Sequence, residues 1–348
     1  MEMLWFWLVS VMVAIYAVMD GFDFGAGILH HWVARSDPER RQVLSAIGPL
    51  WDGNEVWLLA AGGSLLLAFP KVLAAGFSGF YLAMFMVVWT LILRGIAIEF
   101  RSHVVDRMWR SFWDFTFTFA SVLLPVLLGA ALGNVVRGVP LDESGYFAIP
   151  LFTHWGTHNP VGILDWYTVV MGVFALVTVA NHGALFLCWK TEGPVHERAR
   201  WIAMPLSIVT AVMGGFCTLA TAHVNPDVYA NLAHAPLAGL GVAVFLFGLA
   251  TLFWGQLRGR FGLAFLGSAA FILGLLAATA ACVFPVMLKS TLDPAYSLTA
   301  LNAAVGPQGL RTGLVWWVVG FPIAVTYFVV LFRLHRGKVK PAADGDGY

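Results

Sequence analysis

Long apolar runs, broken by short polar segments, make up most of this chain. A helix needs about 20 mostly apolar residues to cross a bilayer. Nine stretches reach about that length: 5–33, 51–70, 72–93, 113–136, 163–189, 202–222, 236–257, 261–285 and 313–333. Pro70-Lys71 divides one long apolar stretch into two, and the segment from Gly255 to Gly262, with two arginines inside it, divides another. The pattern predicts an all-α polytopic membrane protein of nine transmembrane helices, forming one integral-membrane domain over residues 1–348. The first run lacks a basic lead and is too long for a cleaved signal, so it is expected to stay as the first span.

Composition narrows the class. Hydrophobic residues are 59% of the chain and charged residues 11%, with a mean hydropathy of +0.80. Soluble domains carry about 25% charged residues, so an ordinary soluble enzyme is excluded. The 20 basic and 19 acidic residues nearly cancel, which leaves no electrostatic footprint for nucleic acid. The basic residues are unevenly placed. Sixteen of them, running from Arg35 through Arg94, Arg101 and Arg110 to Lys340, fall on one alternate set of connecting segments, against Lys71, Arg137, Lys289 and Arg311 on the other. Positive-inside bias then puts the N-terminus outside and the C-terminal tail, ending Ala-Asp-Gly-Asp-Gly-Tyr, in the cytoplasm. The longer outer segments 137–162, 223–235 and 286–312 are rich in Gly, Pro, Asn and Tyr and are not expected to form domains of their own.

Carboxylates inside membrane helices are costly and mark function. Asp20 and Asp23 lie three apart on one face of the first span, on its cytoplasmic half, with Gly21, Gly25 and Gly27 allowing a neighbouring helix to come close. In the second span the strictly apolar run Val56–Phe69 is too short to cross, so Trp51-Asp52-Gly53-Asn54-Glu55 is expected to be drawn in. A short inner loop joining two antiparallel helices would gather Asp20, Asp23, Asp52 and Glu55 into one volume of low dielectric. They could not all ionise there together, so protons would be shared among them. The competing reading makes Asp52 and Glu55 helix caps. Glu99 and Asp114, flanking the basic segment Arg94–Arg110, read as salt-bridge partners.

Cofactor ligands are scarce. Cys188, Cys217 and Cys282 sit singly in apolar runs and read as small buried hydrophobes. Of ten histidines only His182 lies well inside a span, with no partner at its depth for haem, and it reads as a packed, hydrogen-bonded side chain. Trp5, Trp7, Trp32, Trp51, Trp109 and Trp113 occupy span ends, the interfacial belt position.

Several motifs together carry a family resemblance. Asp20-Gly-Phe-Asp-Phe-Gly25, Gly48-Pro-Leu-Trp-Asp-Gly-Asn-Glu-Val-Trp57, Ala75-Gly-Phe-Ser-Gly-Phe-Tyr81, Trp109-Arg-Ser-Phe-Trp-Asp114, Gly133-Asn-Val-Val-Arg-Gly-Val-Pro140, Asn159-Pro160 and Phe284-Pro-Val-Met-Leu-Lys-Ser-Thr291 occur in that order. The sequence thereby resembles subunit II of the cytochrome bd-type quinol oxidases, including cyanide-insensitive members. The resemblance implies a heterodimer with a related subunit I, which would hold two b-type haems, one d-type haem and the quinol-oxidising loop. It implies a subunit of an electrogenic, non-pumping quinol:O2 oxidoreductase of the bacterial inner membrane, with quinol and O2 as substrates of the complex and lipid around it. Subunit II would support subunit I and carry a proton route from the cytoplasm. By motif position Asp52 looks like the aspartate of that route, with Asp20, Asp23 and Glu55 as companions; no catalytic residue is implied in this chain. A structural quinone and a small single-helix accessory subunit are left open. From a different class, the alternative is a proton-coupled secondary transporter, although no inverted repeat supports it.

Overall fold

The computed structural model describes residues 1–340; the acidic end of the C-terminal tail lies outside the described residues. The spans are α1 (Glu2–Val33), α3 (Trp51–Ala68) with α4 (Pro70–Gly79), α5 (Tyr81–Phe100), α6 (Arg107–Arg137), α7 (Trp166–Lys190), α8 (Gly193–Val224), α10 (Pro236–Leu257), α11 (Phe261–Val283) and α12 (Pro307–Leu334). The short helices α2 (Asp37–Ile47) and α9 (Asp227–His234) complete the set. Among the described residues, eight single helices are long and apolar enough to cross a membrane, and the bent pair α3–α4 makes nine. The molecule is an integral membrane protein, all-α apart from a small two-stranded sheet.

Two expectations about the early spans are corrected. Residues 72–93 are not one helix. Proline cannot donate into a continuing helix, so the chain turns by 117° between α3 and α4, and the next span begins only at Tyr81. The third span therefore runs to Phe100 and takes Arg94 inside it, removing that residue from the loop count. The first two spans are also not joined by a short loop. Between them lies α2, opened by a reciprocal Ser36–Glu39 capping box and anchored by Gln42, whose amide donates to the Glu192 and Val339 carbonyls at 3.0 and 2.7 Å.

α1 is the central helix, packed on α3, α6, α7 and α11. Its glycines act as expected. A Cβ on Gly25 would collide with the backbone of α7 at Val179 and Gly183, and one on Gly27 would collide with Ser121 of α6. Small residues take the place of a hydrophobic driving force where helices meet in lipid. α10 and α11 repeat the device at seven-residue spacing, with Gly241, Gly248 and Gly255 against Ala278, Phe271 and Ala264.

Away from α2, loop residues pack on the helix ends. β1 (Val286–Leu288) and β2 (Leu298–Thr299) pair antiparallel, and Val139 joins them through a 2.9 Å bond from its N–H to the Lys289 carbonyl. Trp5, Phe6, Phe69, Leu141, Phe147 and Leu310 fill the core beneath. Trp5 is not an interfacial belt residue here; it is buried, and its indole N–H donates to the Leu310 carbonyl at 3.0 Å.

Candidate functional site

At the basic end, α1, α3 and α5 converge on Arg94. Its guanidinium donates to Asp20 Oδ1 at 2.6 Å and to Glu55, and it lies over the Phe24 ring at 4.4 Å from the centroid. Asp23, one turn from Asp20, accepts from the Asn54 amide at 2.7 Å; that amide also donates to the Met19 carbonyl at 3.0 Å. Asp20, Asp23, Asn54 and Arg94 are fully buried, while the Glu55 side chain keeps 25% of its surface. Asp20 Oδ2, Asp23 Oδ1 and Asn54 Oδ1 find no hydrogen-bond partner among the described residues.

Three of the four expected carboxylates therefore meet, and the fourth stands apart. Asp52 lies in the first turn of α3 with its side chain exposed at the surface of this chain, so the expected burial of all four in one volume does not hold. The N-cap position of α3 is Leu50, which offers no side-chain cap to the helix start, and no hydrogen bond to Asp52 takes its place among the described residues. Sequence reasoning missed Arg94, which it had assigned to a loop. The signal was present: Arg94 is the only charged residue between Tyr81 and Ile98, and a lone cation in an apolar run needs a buried partner.

The comparisons with known proteins agree with one another. The family profile described as "Cytochrome bd terminal oxidase subunit II" matches residues 1–335. The chain belongs to that family. It is 31% identical over 338 residues to the "Cytochrome bd ubiquinol oxidase subunit 2" of Bacillus subtilis, covering 97% of this chain and 96% of that one. It is 37% identical over 212 residues to the "Cytochrome bd-I ubiquinol oxidase subunit 2" of Escherichia coli, a match spanning 61% of this chain but only 55% of that protein's length. A chain of the bd oxidase from Geobacillus thermodenitrificans shares the fold, with a TM-score of 0.75 at 18% identity over 96% of this chain and 98% of that one. This membership replaces the transporter reading.

A second charged network of this subunit II chain lies nearer the basic surface. Asp114 of α6 is buried and takes His30 at 2.7 Å, Arg101 at 2.6 Å and Arg40 at 2.9 Å. Arg101 also reaches Asp37, where Arg110 joins at 2.8 Å. Asp114 is thus a salt-bridge partner as expected. Glu99 is not: its side chain is exposed and forms no ion pair among the described residues. On the other side, Arg137 is buried and holds Asp165, which caps α7, and the Gly162 carbonyl at 3.1 Å.

His182 is fully buried, stacked on Phe265, with Nδ1 bonded to Ser268 Oγ at 2.6 Å and Nε2 to the Val18 carbonyl at 3.1 Å. Both ring nitrogens are occupied, so the ring does not suit an axial haem ligand. The described residues contain no group of three or more His, Cys, Asp or Glu side chains placed to hold a metal ion. The three cysteines are free and buried.

Proposed function

We propose that this chain is the second subunit of a quinol-oxidising, O2-reducing complex of the bacterial cytoplasmic membrane, acting as one nine-span unit. Its partner would be a haem-bearing subunit I holding the two b-type haems and the d-type haem. Its own chemical contribution is a proton route. The relatives from E. coli and B. subtilis are named as ubiquinol oxidase subunits, which supports quinol as the substrate class. Two quinols give up four electrons and four protons on one side, and O2 takes four electrons and four protons from the other to form two waters. This chain's residues bear on that second supply of protons.

One observation carries the reading: two carboxylates, Asp20 and Glu55, bond a single buried guanidinium, and a third, Asp23, lies buried one turn from Asp20. One cation cannot neutralise Asp20, Asp23 and Glu55, and uncompensated charge in a low-dielectric interior is costly. The cluster therefore holds exchangeable protons. Asp20 and Asp23 each keep one oxygen without a partner among the described residues, and Glu55 is partly open with Asp52 one turn away at the surface of the chain. The test compares Asp23→Asn, Asp52→Asn and Asp52→Glu in the purified complex, by quinol-dependent O2 consumption per haem. Asparagine retains shape and caps helices well but carries no proton. Slow turnover with haem retained in both asparagine variants, and recovery in Asp52→Glu, is the expected result. Wild-type rates in both asparagine variants would end the proposal.

A further inference from the structure

The polar groups of α1 continue beyond the Arg94 cluster toward the basic surface. Tyr16, Asp20, Asp23, Gly27 and His30 follow at spacings of four and three, so they form one stripe along the helix. α6 presents Asp114 and Ser121, two turns apart on its own facing stripe. The stripes meet twice. His30 pairs with Asp114 at 2.7 Å, and Ser121 packs directly on Gly27, where any Cβ would overlap its side chain. Ser121 is fully buried, yet its hydroxyl has no hydrogen-bond partner among the described residues; neither has His30 Nδ1 on one side of it or Asp23 Oδ1 on the other. A hydroxyl buried without a partner opposes folding, and alanine would fill the same space, so packing does not account for a serine here.

We infer that the α1–α6 seam, through His30, Ser121 and Asp23, is the inlet that brings protons from the basic surface to the Arg94 cluster, leaving Glu55 and Asp52 as the exit side. This rests on the proton-route reading above and adds where the route begins. Arg40 and Arg101 hold Asp114 as an acceptor, so His30 Nε2 carries the hydrogen of that bond and Nδ1 offers the lone pair that takes up a proton. Phe117, whose ring lies 5.4 Å from that of His30, walls the seam on its apolar side. From His30 to Gly27 and from Gly27 to Asp23 is one helical turn each, about 5–6 Å, a gap that one water bridges. The Ser121 hydroxyl gives its proton toward Asp23 as it accepts one from the His30 side, so the O–H is re-formed and no other reactant is consumed.

The test uses the assembled complex with Ser121→Ala, His30→Gln and Asp23→Asn. The Ser121→Ala complex is expected to come close to wild type in thermal stability, because it loses no hydrogen bond to another protein group, yet to consume O2 about tenfold more slowly with a larger solvent deuterium isotope effect. His30→Gln, which can still donate to Asp114, should show the same slowing and isotope effect. Wild-type turnover and isotope effect in Ser121→Ala, with Asp23→Asn slow, would overturn the inlet and leave the cluster reading standing. Wild-type turnover in Asp23→Asn as well would overturn both. If Ser121→Ala fails to assemble, His30→Gln decides by the same two readouts, and a normal result there overturns the inlet.

Discussion

Replacing Arg94 with methionine removes the only cation among the described residues in contact with Asp20 and Glu55, and leaves an unbranched apolar side chain two atoms shorter. In the wild type, full ionisation of Asp20, Asp23 and Glu55 would leave two negative charges uncompensated; in Arg94→Met it would leave three. Removing one partner of a buried ion pair costs about 3–5 kcal/mol, and here one guanidinium serves two carboxylates directly. A loss of that size corresponds to a fall on the order of 10 °C in the midpoint of thermal inactivation. The sign of the pH dependence follows from proton counting. Without Arg94 the folded cluster must bind more protons than the same groups do when exposed, so stability falls as pH rises, by about 1.4 kcal/mol per pH unit for each extra proton bound. The deficit against wild type should therefore be largest near about pH 8 and shrink toward about pH 6. Adding Asp20→Asn to Arg94→Met removes one of the stranded charges and should recover part of the loss. The assay is thermal inactivation of the purified complex at the two pH values for wild type, single and double variants. A single variant as stable as wild type at both, or a deficit that grows on acidification, would refute the charge argument.

Gly25→Ala should cut assembly and stability by about 1–3 kcal/mol or more, since its Cβ would strike the α7 backbone; Gly215→Ala, where nothing lies within 4 Å, should be near neutral by the same thermal assay. Arg137→Met strands Asp165 and frees the Gly162 carbonyl, so limited proteolysis within residues 138–165 should accelerate while the basic end keeps its protection; unchanged cleavage would contradict the anchoring role. A reporter fused after Lys340 should behave as cytoplasmic and one inserted near Ser144 as external, and the reverse at either site would break the nine-span orientation.

Most of the fold was legible because burying backbone polar groups in lipid leaves helices as the one local solution for an apolar run. The span Pro236–Leu257 coincides with its apolar run, and Phe261–Val283 differs from its own by two residues. The misplacement fell between Val56 and Phe100, where the chain is apolar almost throughout and a proline marks a break without fixing the angle. A 117° turn at Phe69 depends on what α4 packs against, among it Phe147 from the loop before α7, whose ring fills the space beside Gly79. Sequence spacing carries no information on such a pairing. The same limit hid the partner of His30, which lies 84 residues away in α6.

The site was legible in proportion to how unusual each residue was in its surroundings. Asp20 and Asp23 stood out as acids in an apolar helix, and the structure buries both. Arg94 was equally unusual, but shifting one span boundary by seven residues made it look like a loop cation. That error changed the chemistry, because four acids with no cation suggest a purely acidic relay, whereas the structure sets a buried guanidinium between Asp20 and Glu55, with Asp23 one turn from Asp20. Asp52 shows the opposite case. Its motif marks it strongly, yet the chain leaves it exposed and without a capping bond. At the start of α3, this acid is neither buried nor capping and faces outward from the chain. Asp20 and Asp23 have their geometry set by Arg94 and Asn54 within this chain, while Asp52 stays exposed at its surface.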